Sequence, residues 1–307
     1  REVISFPAGL NGEQALVRGV VEKKDQRLSV NVGYQSSATP GSTTTNVDTL
    51  GYSVRKEIRV NRIRHTAADL VGMVGAVLFS AEDIDLVYGA PSGRRRYLDI
   101  LISQADPPYI KALQRYQRVL QQRNRLLKML REGRAEADEL EFWNAELVRE
   151  GGAITWQRQE VMKRLAGFCA EHHGELSESR DEFQIEYRPS VIGGDSLSST
   201  EERFQESLAA FQHRESATAT TVVGPHRDDF RLLVNRLDMG TFASRGEART
   251  LALTLRLAEA SYLSATRDDE PVVLLDDVLS EMDSGRRRRV LEKIAHYQQS
   301  LVTTTDL

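Results

Sequence analysis

The chain has very little cysteine. Cys169 is the one cysteine among 307 residues, so no disulfide can form within the chain, and a reducing, cytoplasmic compartment fits this composition. No apolar run approaches the length of a membrane span, and no signal peptide is visible. An excess of positive charge is also absent, because the formal net charge is −4. Any contact with nucleic acid must therefore come from a local basic patch and not from the global charge.

The remaining composition is that of an ordinary globular protein, with 40% hydrophobic and 28% charged residues. The length predicts a large core and two structural units. The chain begins at Arg1 and not at Met, and residues 301–307 stop at the end of a strand-like run. We therefore expect a fragment that is truncated at both ends.

The first 64 residues are rich in β-forming side chains. Four such runs, which we interpret as two strand pairs, lie at residues 15–21, 28–32, 52–54 and 57–60. Residues 35–49 lie between the pairs and are full of Ser, Thr, Gly and Pro, which predicts a flexible hairpin loop. This region is predicted to be an antiparallel sheet at one edge of the protein.

Residues 107–173 carry the longest helical pattern. Leucine recurs every seven residues in a first run at Leu113, Leu120 and Leu127, and a second run of the same period extends from Leu140 to Phe168. A polar break at 132–134 separates the runs, and Gly151-Gly152 is expected to kink the second helix. The pattern fits an antiparallel helical hairpin and equally fits two core helices of a helical domain.

Strand patterns return after residue 183. Runs 183–187, 220–223 and 230–234 are predicted strands, and residues 201–214 are a predicted helix. Gly224-Pro225-His226-Arg227-Asp228-Asp229 lies between the last two strands. We interpret it as a tight hairpin with a structural ion pair in preference to a functional turn.

The run Val272-Val273-Leu274-Leu275-Asp276-Asp277 is a strand pattern with two acids at its end. An unalternating apolar run predicts a parallel strand buried on both faces, and such strands end at the sheet edge where ligands bind. Two carboxylates there are hard oxygen ligands that suit Mg²⁺ bound to a nucleotide phosphate. The alternative is a buried strand that becomes polar because it has reached water.

Ser244-Arg245-Gly246-Glu247 directly precedes a strong helix at 248–263. Ser244 is a predicted N-cap, Gly246 permits close approach of a ligand to the backbone, and the helix start favours an anion. Simple capping explains Ser244 and Glu247 equally well. The order of motifs along the chain favours a phosphate site. This helix start is followed by the Asp276-Asp277 strand and then by the acidic turn Ser280-Glu281-Met282-Asp283.

These three motifs, in this order, resemble those of the ABC ATPases and in particular the SMC-like branch. Three further stretches and the closing Thr303-Thr304-Thr305-Asp306 resemble the RecF family of recombination and replication-repair proteins, over the whole of 1–307. The stretches are Val77 to Asp83, Gly89 to Asp99 and Gly224 to Asp229. The resemblance implies an α/β fold of the ABC-type ATPase head, a mixed sheet with helices and an antiparallel β edge, with an inserted helical lobe. The predicted domains are head residues 1–103, lobe residues 104–180 and head residues 181–307.

The resemblance also implies roles for these acids and for the helix start. Asp276 is expected to bind Mg²⁺, and Asp277 to orient the water that attacks the γ-phosphate of ATP. Residues expected to contact a nucleotide held by the other subunit, so that ATP joins a homodimer, are Ser244, Arg245, Gly246, Glu247 and Asp283. The turn with Ser80, Glu82 and Asp83 is expected near the point where nucleotide and helical lobe are coupled.

One family motif does not occur in these 307 residues, namely a Gly-x-x-x-x-Gly-Lys-Ser/Thr loop. The lysine and amide groups of that loop hold the β- and γ-phosphates. We therefore expect slow ATP hydrolysis by the intact protein and none by this chain alone. A DNA-binding or scaffold fragment without enzymatic activity is the alternative, as is another SMC-like ATPase, although a Rad-type protein needs a longer coiled coil and an overcoming-lysogenization-type nuclease needs a further acidic domain.

The expected partners follow from the family and not from the charge pattern. They are single-stranded and gapped duplex DNA, a second copy of the chain and other recombination mediator proteins, in repair, replication restart and the SOS response. Candidate DNA contacts are Arg62, Arg64, Arg94, Arg95 and Arg96, with the run 286–289 as a further basic stretch. Each run is also typical of a solvated helix face, and no interleaved aromatic residues indicate base stacking.

Overall fold

The computed structural model describes residues 14–24, 26–38, 52–177 and 181–304. The chain divides into two compact units, residues 1–74 and 75–307. The three-part domain division predicted from the sequence stays a prediction.

The first unit is an antiparallel meander of four strands in the order β1-β2-β3-β4. The strands are β1 (Gln14–Lys23), β2 (Gln26–Ala38), β3 (Tyr52–Val60) and β4 (Ile63–His65), followed by the short helix α1 (Ala67–Leu70). The predicted antiparallel sheet is confirmed. The prediction of two strands within 52–60 is wrong, because Arg55 and Lys56 continue the extended chain without any turn-forming residue.

The turn between β3 and β4 is formed by Asn61 and Arg62, with φ of 49° and 72°. Two left-handed residues in succession match the twist of a two-residue hairpin. Of the predicted hairpin loop at 35–49, residues 35–38 belong to β2, and residues 39–49 lie outside the described residues.

The second unit contains a three-stranded parallel sheet and a three-stranded antiparallel sheet. The parallel sheet has the order β10-β9-β5, and the antiparallel sheet has the order β6-β7-β8. Their strands are β5 (Ala76–Ser80), β6 (Phe183–Arg188), β7 (Asp229–Val234), β8 (Leu237–Asp238), β9 (Val272–Asp276) and β10 (Ser300–Thr303).

Eight helices belong to the described part of this unit. They are α2 (Asp85–Tyr88), α3 (Pro91–Ala105), α4 (Pro107–Arg131), α5 (Glu139–Leu176), α6 (Leu197–Thr218), α7 (Met239–Phe242), α8 (Arg245–Thr266) and α9 (Ser284–Ile294). The predicted order of helix, strand, helix and strand after Ser244 is confirmed. None of the helices in the described ranges is long and apolar enough to cross a membrane.

One continuous core joins the parallel sheet to the helices. Val77 of β5 and Val273 of β9 are buried and belong to the same cluster as Leu255 of α8. On the other face of the sheet, Leu78 and Leu301 pair in register on either side of Leu274 and are about half exposed. The parallel sheet is therefore covered on one face within the described residues, so the predicted burial of the 272–276 strand is confirmed for that face only. Helix α8 packs against β5, the strand that pairs with β9.

The glycines Gly151 and Gly152 serve a close helix contact. Helix α5 runs through both without interruption. A Cβ added at Gly151 would lie 2.6 Å from the Phe204 ring of α6, and one at Gly152 would lie 2.7 Å from Cγ of Glu201. The pair therefore lets α6 pack directly against the backbone of α5.

The predicted strand at 220–223 is not a strand. Its backbone bonds to side chains, because the Thr221 amide donates to Asn124 Oδ1 at 2.7 Å and the Val222 amide donates to Glu215 Oε1 at 2.9 Å. β-Branched residues indicate extended structure, but a strand also needs a partner with free backbone groups. Residues 224–229 are consequently not a hairpin, and residues 225–227 form a single 3₁₀ turn.

Candidate functional site

Asp276 is the last residue of β9 and lies at the carboxyl edge of the parallel sheet. It is exposed, and the neighbouring strand β5 places Ser80 directly beside it. The Thr303 hydroxyl of β10 donates a hydrogen bond to Asp276 Oδ1 at 2.7 Å. This bond holds one carboxylate oxygen, and the exposed carboxylate has no cationic partner among the described residues.

Asp277 adopts a left-handed backbone conformation with φ of 51°. Aspartate tolerates this conformation better than most side chains. Its amide donates to the Thr303 carbonyl oxygen at 3.2 Å and to the Thr303 hydroxyl at 3.1 Å, and its own carbonyl accepts from Ser280 Oγ at 3.1 Å. The backbone is thus fixed on both sides, while the Asp277 carboxylate is exposed and has no ion-pair partner in the described part of the chain.

These two carboxylates do not complete a metal site by themselves. Across the described residues, no group of three or more His, Cys, Asp or Glu side chains could hold a metal ion. Mg²⁺ is commonly held by one or two carboxylates together with water and substrate phosphates. The donor set at this edge fits an ion that arrives with a phosphate ligand, and it does not fit a permanent protein-only site.

Helix α8 begins with a reciprocal cap. The Ser244 amide and hydroxyl both donate to Glu247 Oε2, at 2.8 and 2.6 Å, and the Glu247 amide donates to Ser244 Oγ at 3.3 Å. Hydrogen bonds from the Ser244 hydroxyl and amide lower the pKa of Glu247. The predicted N-cap at Ser244 is confirmed, and Arg245 follows it as an exposed side chain.

Asp283 caps α9 and lies close to the start of α8. Its Oδ1 accepts from the Arg286 amide at 2.9 Å, and this bond lowers the pKa of Asp283. A Cβ added at Gly246 would lie 3.7 Å from Nη1 of Arg286. The structure therefore places Gly246, which is half-buried, near the turn of Asp283, which is exposed.

The turn after β5 links this edge to α8. The Ser80 amide donates to Asp83 Oδ2 at 2.9 Å, as the predicted capping box requires, and Asp83 Oδ1 accepts from Arg256 Nη2 at 2.6 Å. Arg256 also donates to Glu259 Oε2 at 2.8 Å. A cavity of about 20 Å³ next to this turn is lined by Ser80, Asp83, Arg249, Asp277 and several apolar neighbours.

Sequence reasoning assigned no role to Arg249, Arg256 or Thr303. Arg249 and Arg256 are seven residues apart on α8, a spacing that places them on one helix face and could have singled them out. Thr303 belongs to a quoted motif, but its bonds to Asp276 and Asp277 depend on the register of β10 beside β9. That register is a non-local property.

The five candidate DNA-contacting arginines have different surroundings. Arg62 is exposed in the β3–β4 turn, and Arg64 pairs with Glu57 at 2.9 Å. Arg94 donates to both carboxylate oxygens of Asp229, and Arg95 donates to the Asp228 carbonyl at 2.9 Å. Arg96 is exposed. Two members of the run 94–96 therefore hold α3 to the 225–229 turn, and Arg96 is the accessible one.

A buried ion pair lies at the junction of α5 with the 225–229 turn. Arg158 is fully buried and donates to Asp228 Oδ2 at 3.0 Å and to Asp99 Oδ1 at 2.7 Å. Asp228 also accepts from the Tyr187 hydroxyl at 2.6 Å and from the Ser190 amide at 2.8 Å. Burial opposes the charge on Arg158, but Tyr109 and the two carboxylates raise its pKa well above the usual value. The structural ion pair predicted for this turn is confirmed.

No protein-family model matches the chain. Among curated proteins it is 40% identical over 261 residues to the DNA replication and repair protein RecF of Herpetosiphon aurantiacus, which covers 84% of this chain and 66% of that protein. It is 40% identical to RecF of Heliobacterium modesticaldum and 39% identical to RecF of Geobacillus kaustophilus, covering 82% of this chain in both cases and 68% and 69% of those proteins. The chain thus spans about two thirds of the length of these relatives.

Two solved structures of the recombination mediator protein RecF in the RecFOR pathway are also similar. The RecF-ATPrS structure has a TM-score of 0.81 and 31% identity, and covers 96% of this chain and 75% of that one. The RecF-ATP structure has a TM-score of 0.81 and 30% identity, and covers 96% and 76%. The parallel sheet with acids at its edge, helix α8 and the other helices form a mixed α/β fold that matches these solved RecF structures, so the predicted fold class is confirmed.

The curated relatives identify the protein family to which the chain belongs. The chain belongs to the RecF family of DNA replication and repair proteins. The resemblance found in the sequence motifs is thereby confirmed.

Proposed function

We propose that this chain supplies the carboxylate side of an ATP site in a DNA replication and repair ATPase. One observation carries the proposal: Asp276 and Asp277 are exposed at the edge of the parallel sheet, have a fixed backbone and have no cationic partner among the described residues. Membership of the RecF family and the similarity to RecF solved with ATP support the nucleotide.

The two acids have different roles in this proposal. Asp276 holds Mg²⁺, which neutralises charge on the nucleotide phosphates, and the Thr303 hydroxyl keeps its carboxylate oriented. Asp277 accepts a hydrogen bond from the attacking water and orients it towards the γ-phosphate.

The start of α8 and the Asp283 turn belong to a second, intermolecular part of the proposal. Ser244, Arg245, Gly246, Glu247 and Asp283 contact a nucleotide that a second copy holds, so that ATP stabilises a homodimer. The exposure of four of these residues, all but Gly246, supports this arrangement. The position of Gly246 supports it as well, because a Cβ added there would lie 3.7 Å from Nη1 of Arg286.

Mutation of Asp277 tests the first part. In the longest form of the protein that its gene encodes, Asp277→Asn is expected to abolish ATP hydrolysis while retaining ATP-dependent dimerisation in analytical ultracentrifugation. Asp276→Asn is expected to abolish hydrolysis and also to weaken the Mg²⁺-dependent binding of ATP. Hydrolysis at the unchanged rate in both variants would rule out the assignment.

The 307-residue chain has a separate expected behaviour. Because it contains no Gly-x-x-x-x-Gly-Lys-Ser/Thr sequence, calorimetry is expected to show no tight ATP binding by this chain alone. The same absence favours the second candidate function, a DNA-binding or scaffold fragment without hydrolysis. Tight binding of ATP by this chain would contradict both statements.

The proposed function includes binding of single-stranded and gapped duplex DNA. Other recombination mediator proteins are the proposed partners, and the cytoplasm is the proposed location. Arg62, Arg64 and Arg96 remain the accessible arginines among the sequence candidates. Because their contacts would be to phosphates, DNA affinity is expected to fall steeply with added salt. An affinity that does not change with salt would contradict phosphate contacts.

A further inference from the structure

Helix α4 has an unusual charge composition. Its 25 residues contain seven Lys or Arg side chains and no Asp or Glu. The following helix α5 mixes seven acids with four Lys or Arg side chains over 38 residues. A helix that carries one sign of charge gains no i,i+4 ion pairs, so this composition does not serve to stabilise the isolated helix.

Four of these cations form one row, which we name the basic stripe: Lys111, Arg115, Arg118 and Arg125. The spacings of four, three and seven residues keep them on one helix face over a rise of about 21 Å. All four are exposed, and the exposed residues among and beside them are Gln114, Gln117, Gln121 and Gln122. The opposite face packs into the main core through Tyr109, Tyr116 and Val119, and Leu127 packs in a small second cluster with Leu126 and Leu140.

The charges of the basic stripe are mostly uncompensated. Arg115 pairs with Glu150 at 2.8 Å. Arg118 donates to the Gln114 carbonyl of its own helix at 3.3 Å, and within the described ranges no acidic side chain lies at salt-bridge distance from Lys111, Arg118 or Arg125. By contrast, Arg123 of the same helix is buried and pairs with Glu215 at 2.5 Å. The fold therefore uses Arg123 internally and leaves the stripe facing solvent.

We infer that the basic stripe of α4 binds the phosphate backbone of duplex DNA. A straight row of cations about 4.5 to 10.5 Å apart along the helix axis can contact several phosphates of one strand, which carries one phosphate per ~3.4 Å of rise. The glutamines between the cations add neutral hydrogen-bond donors. Both tyrosines of α4 are buried, so the stripe offers no aromatic face on which an unpaired base could stack. These features favour the duplex part of a gapped substrate. The inference rests on the proposed DNA-binding function and names its surface.

The test is a double variant, Arg118→Gln with Arg125→Gln, measured by fluorescence anisotropy with a labelled duplex over a series of salt concentrations. Glutamine keeps helix propensity and exposure. Loss of two phosphate contacts is expected to reduce the slope of log affinity against log salt by about 2, and to weaken binding roughly 10- to 100-fold at low salt. The matching single strand is measured in parallel and is expected to bind less tightly than the duplex to the unmodified chain.

The control variant is Arg134→Gln with Lys163→Gln. These cations are also exposed and lie off the stripe, and each pairs with a nearby acid, Glu132 or Glu160. The control changes the net charge by the same amount and is expected to retain the affinity and the salt slope. Equal losses of affinity in the two variants would mean that global charge decides DNA binding, which contradicts the proposal. An unchanged affinity in the Arg118/Arg125 variant would also contradict the proposal that the basic stripe binds DNA. Failure of the unmodified chain to bind DNA at all would instead remove the DNA-binding function on which the stripe depends.

Discussion

Asp228-Asp229 and Asp276-Asp277 are the same dipeptide at two places in one unit, with opposite surroundings. Asp228 is buried and has four donors: Arg158, Tyr187, the Ser190 amide and, at its carbonyl, Arg95. Asp276 and Asp277 are exposed and have no cationic partner in the described part of the chain. Burial and partners, and not residue type, therefore decide which pair can still accept a ligand.

The largest expected loss of stability is that caused by Arg158→Met. This change leaves Asp228 buried without its cation, and a loss of about 3–5 kcal/mol in the free energy of unfolding is expected. Urea denaturation of the variant and of the unmodified chain measures this loss. Asp276→Asn is the matched control, because it alters an exposed aspartate. A loss below about 1 kcal/mol for Arg158→Met would show that the buried pair is not required for stability.

The next effect concerns His226, which precedes Asp228 by two residues. Its Nε2 lies 3.2 Å from the Thr221 carbonyl, which can only accept, so Nε2 carries the hydrogen and Nδ1 accepts from the Tyr116 hydroxyl at 2.6 Å. Burial lowers the pKa of His226 to about 4. Among charged groups, Arg227 and Arg95 further lower the pKa of the ring, and Asp228 raises it.

Protonation of His226 therefore opposes folding. The unfolded chain binds this proton near pH 6.5 and the folded chain near pH 4, so the contribution of His226 is fully present above pH 6.5 and is lost as pH falls towards 4. A loss of about 2–3 kcal/mol over this interval is expected. Denaturation at several pH values shows it, and His226→Gln, which does not titrate, is expected to have the shallower pH dependence. Identical slopes would contradict the assignment.

A smaller effect is expected at the second acid of the buried pair. Arg94 is 12% exposed and holds Asp229, which is 24% exposed, through two hydrogen bonds. Arg94→Gln is expected to cost about 1–3 kcal/mol, since charged hydrogen bonds are lost at a partly buried site. Arg96→Gln on the same helix changes an exposed arginine and is expected to have no measurable cost. Thermal unfolding of the two variants side by side distinguishes a specific pair from general charge loss.

The smallest change in stability is expected at the exposed pair. Asp276→Asn alters no ion pair, so its free energy of unfolding is expected to stay within about 0.5 kcal/mol of the unmodified chain. Thr303→Val removes the hydroxyl that orients Asp276 and is expected to cost about 1 kcal/mol. Urea denaturation measures both. A cost for Asp276→Asn similar to that of Arg158→Met would remove the distinction between the two aspartate pairs.

Local patterns predicted much of this structure. The cap at Ser244, the capping acid Asp83 and the strand that ends at Asp276 are all confirmed, because each depends on residues a few positions apart. The predicted strand at 220–223 failed because its partners, Asn124 and Glu215, are side chains that the local pattern does not include.

Charge was the least predictable property. The consecutive arginines 94–96 were predicted to contact DNA because they form a basic run. Two of them instead bond to residues that lie more than 130 positions away in sequence. The basic stripe of α4 escaped notice because its members are three, four and seven residues apart and never adjacent. A helical projection of each predicted helix, with acids and cations marked, would have singled it out.

Helix α5 has a mechanical consequence that follows from its length. Its 38 residues form one uninterrupted rod of about 57 Å, with Leu140 at one end and His173, packed on Phe183 of β6, near the other. A rod of this length acts as a lever, because a rotation of only about 5° at one end displaces the other end by about 5 Å. Small adjustments beside the sheet are therefore magnified at the far tip, where the turn between α4 and α5 lies.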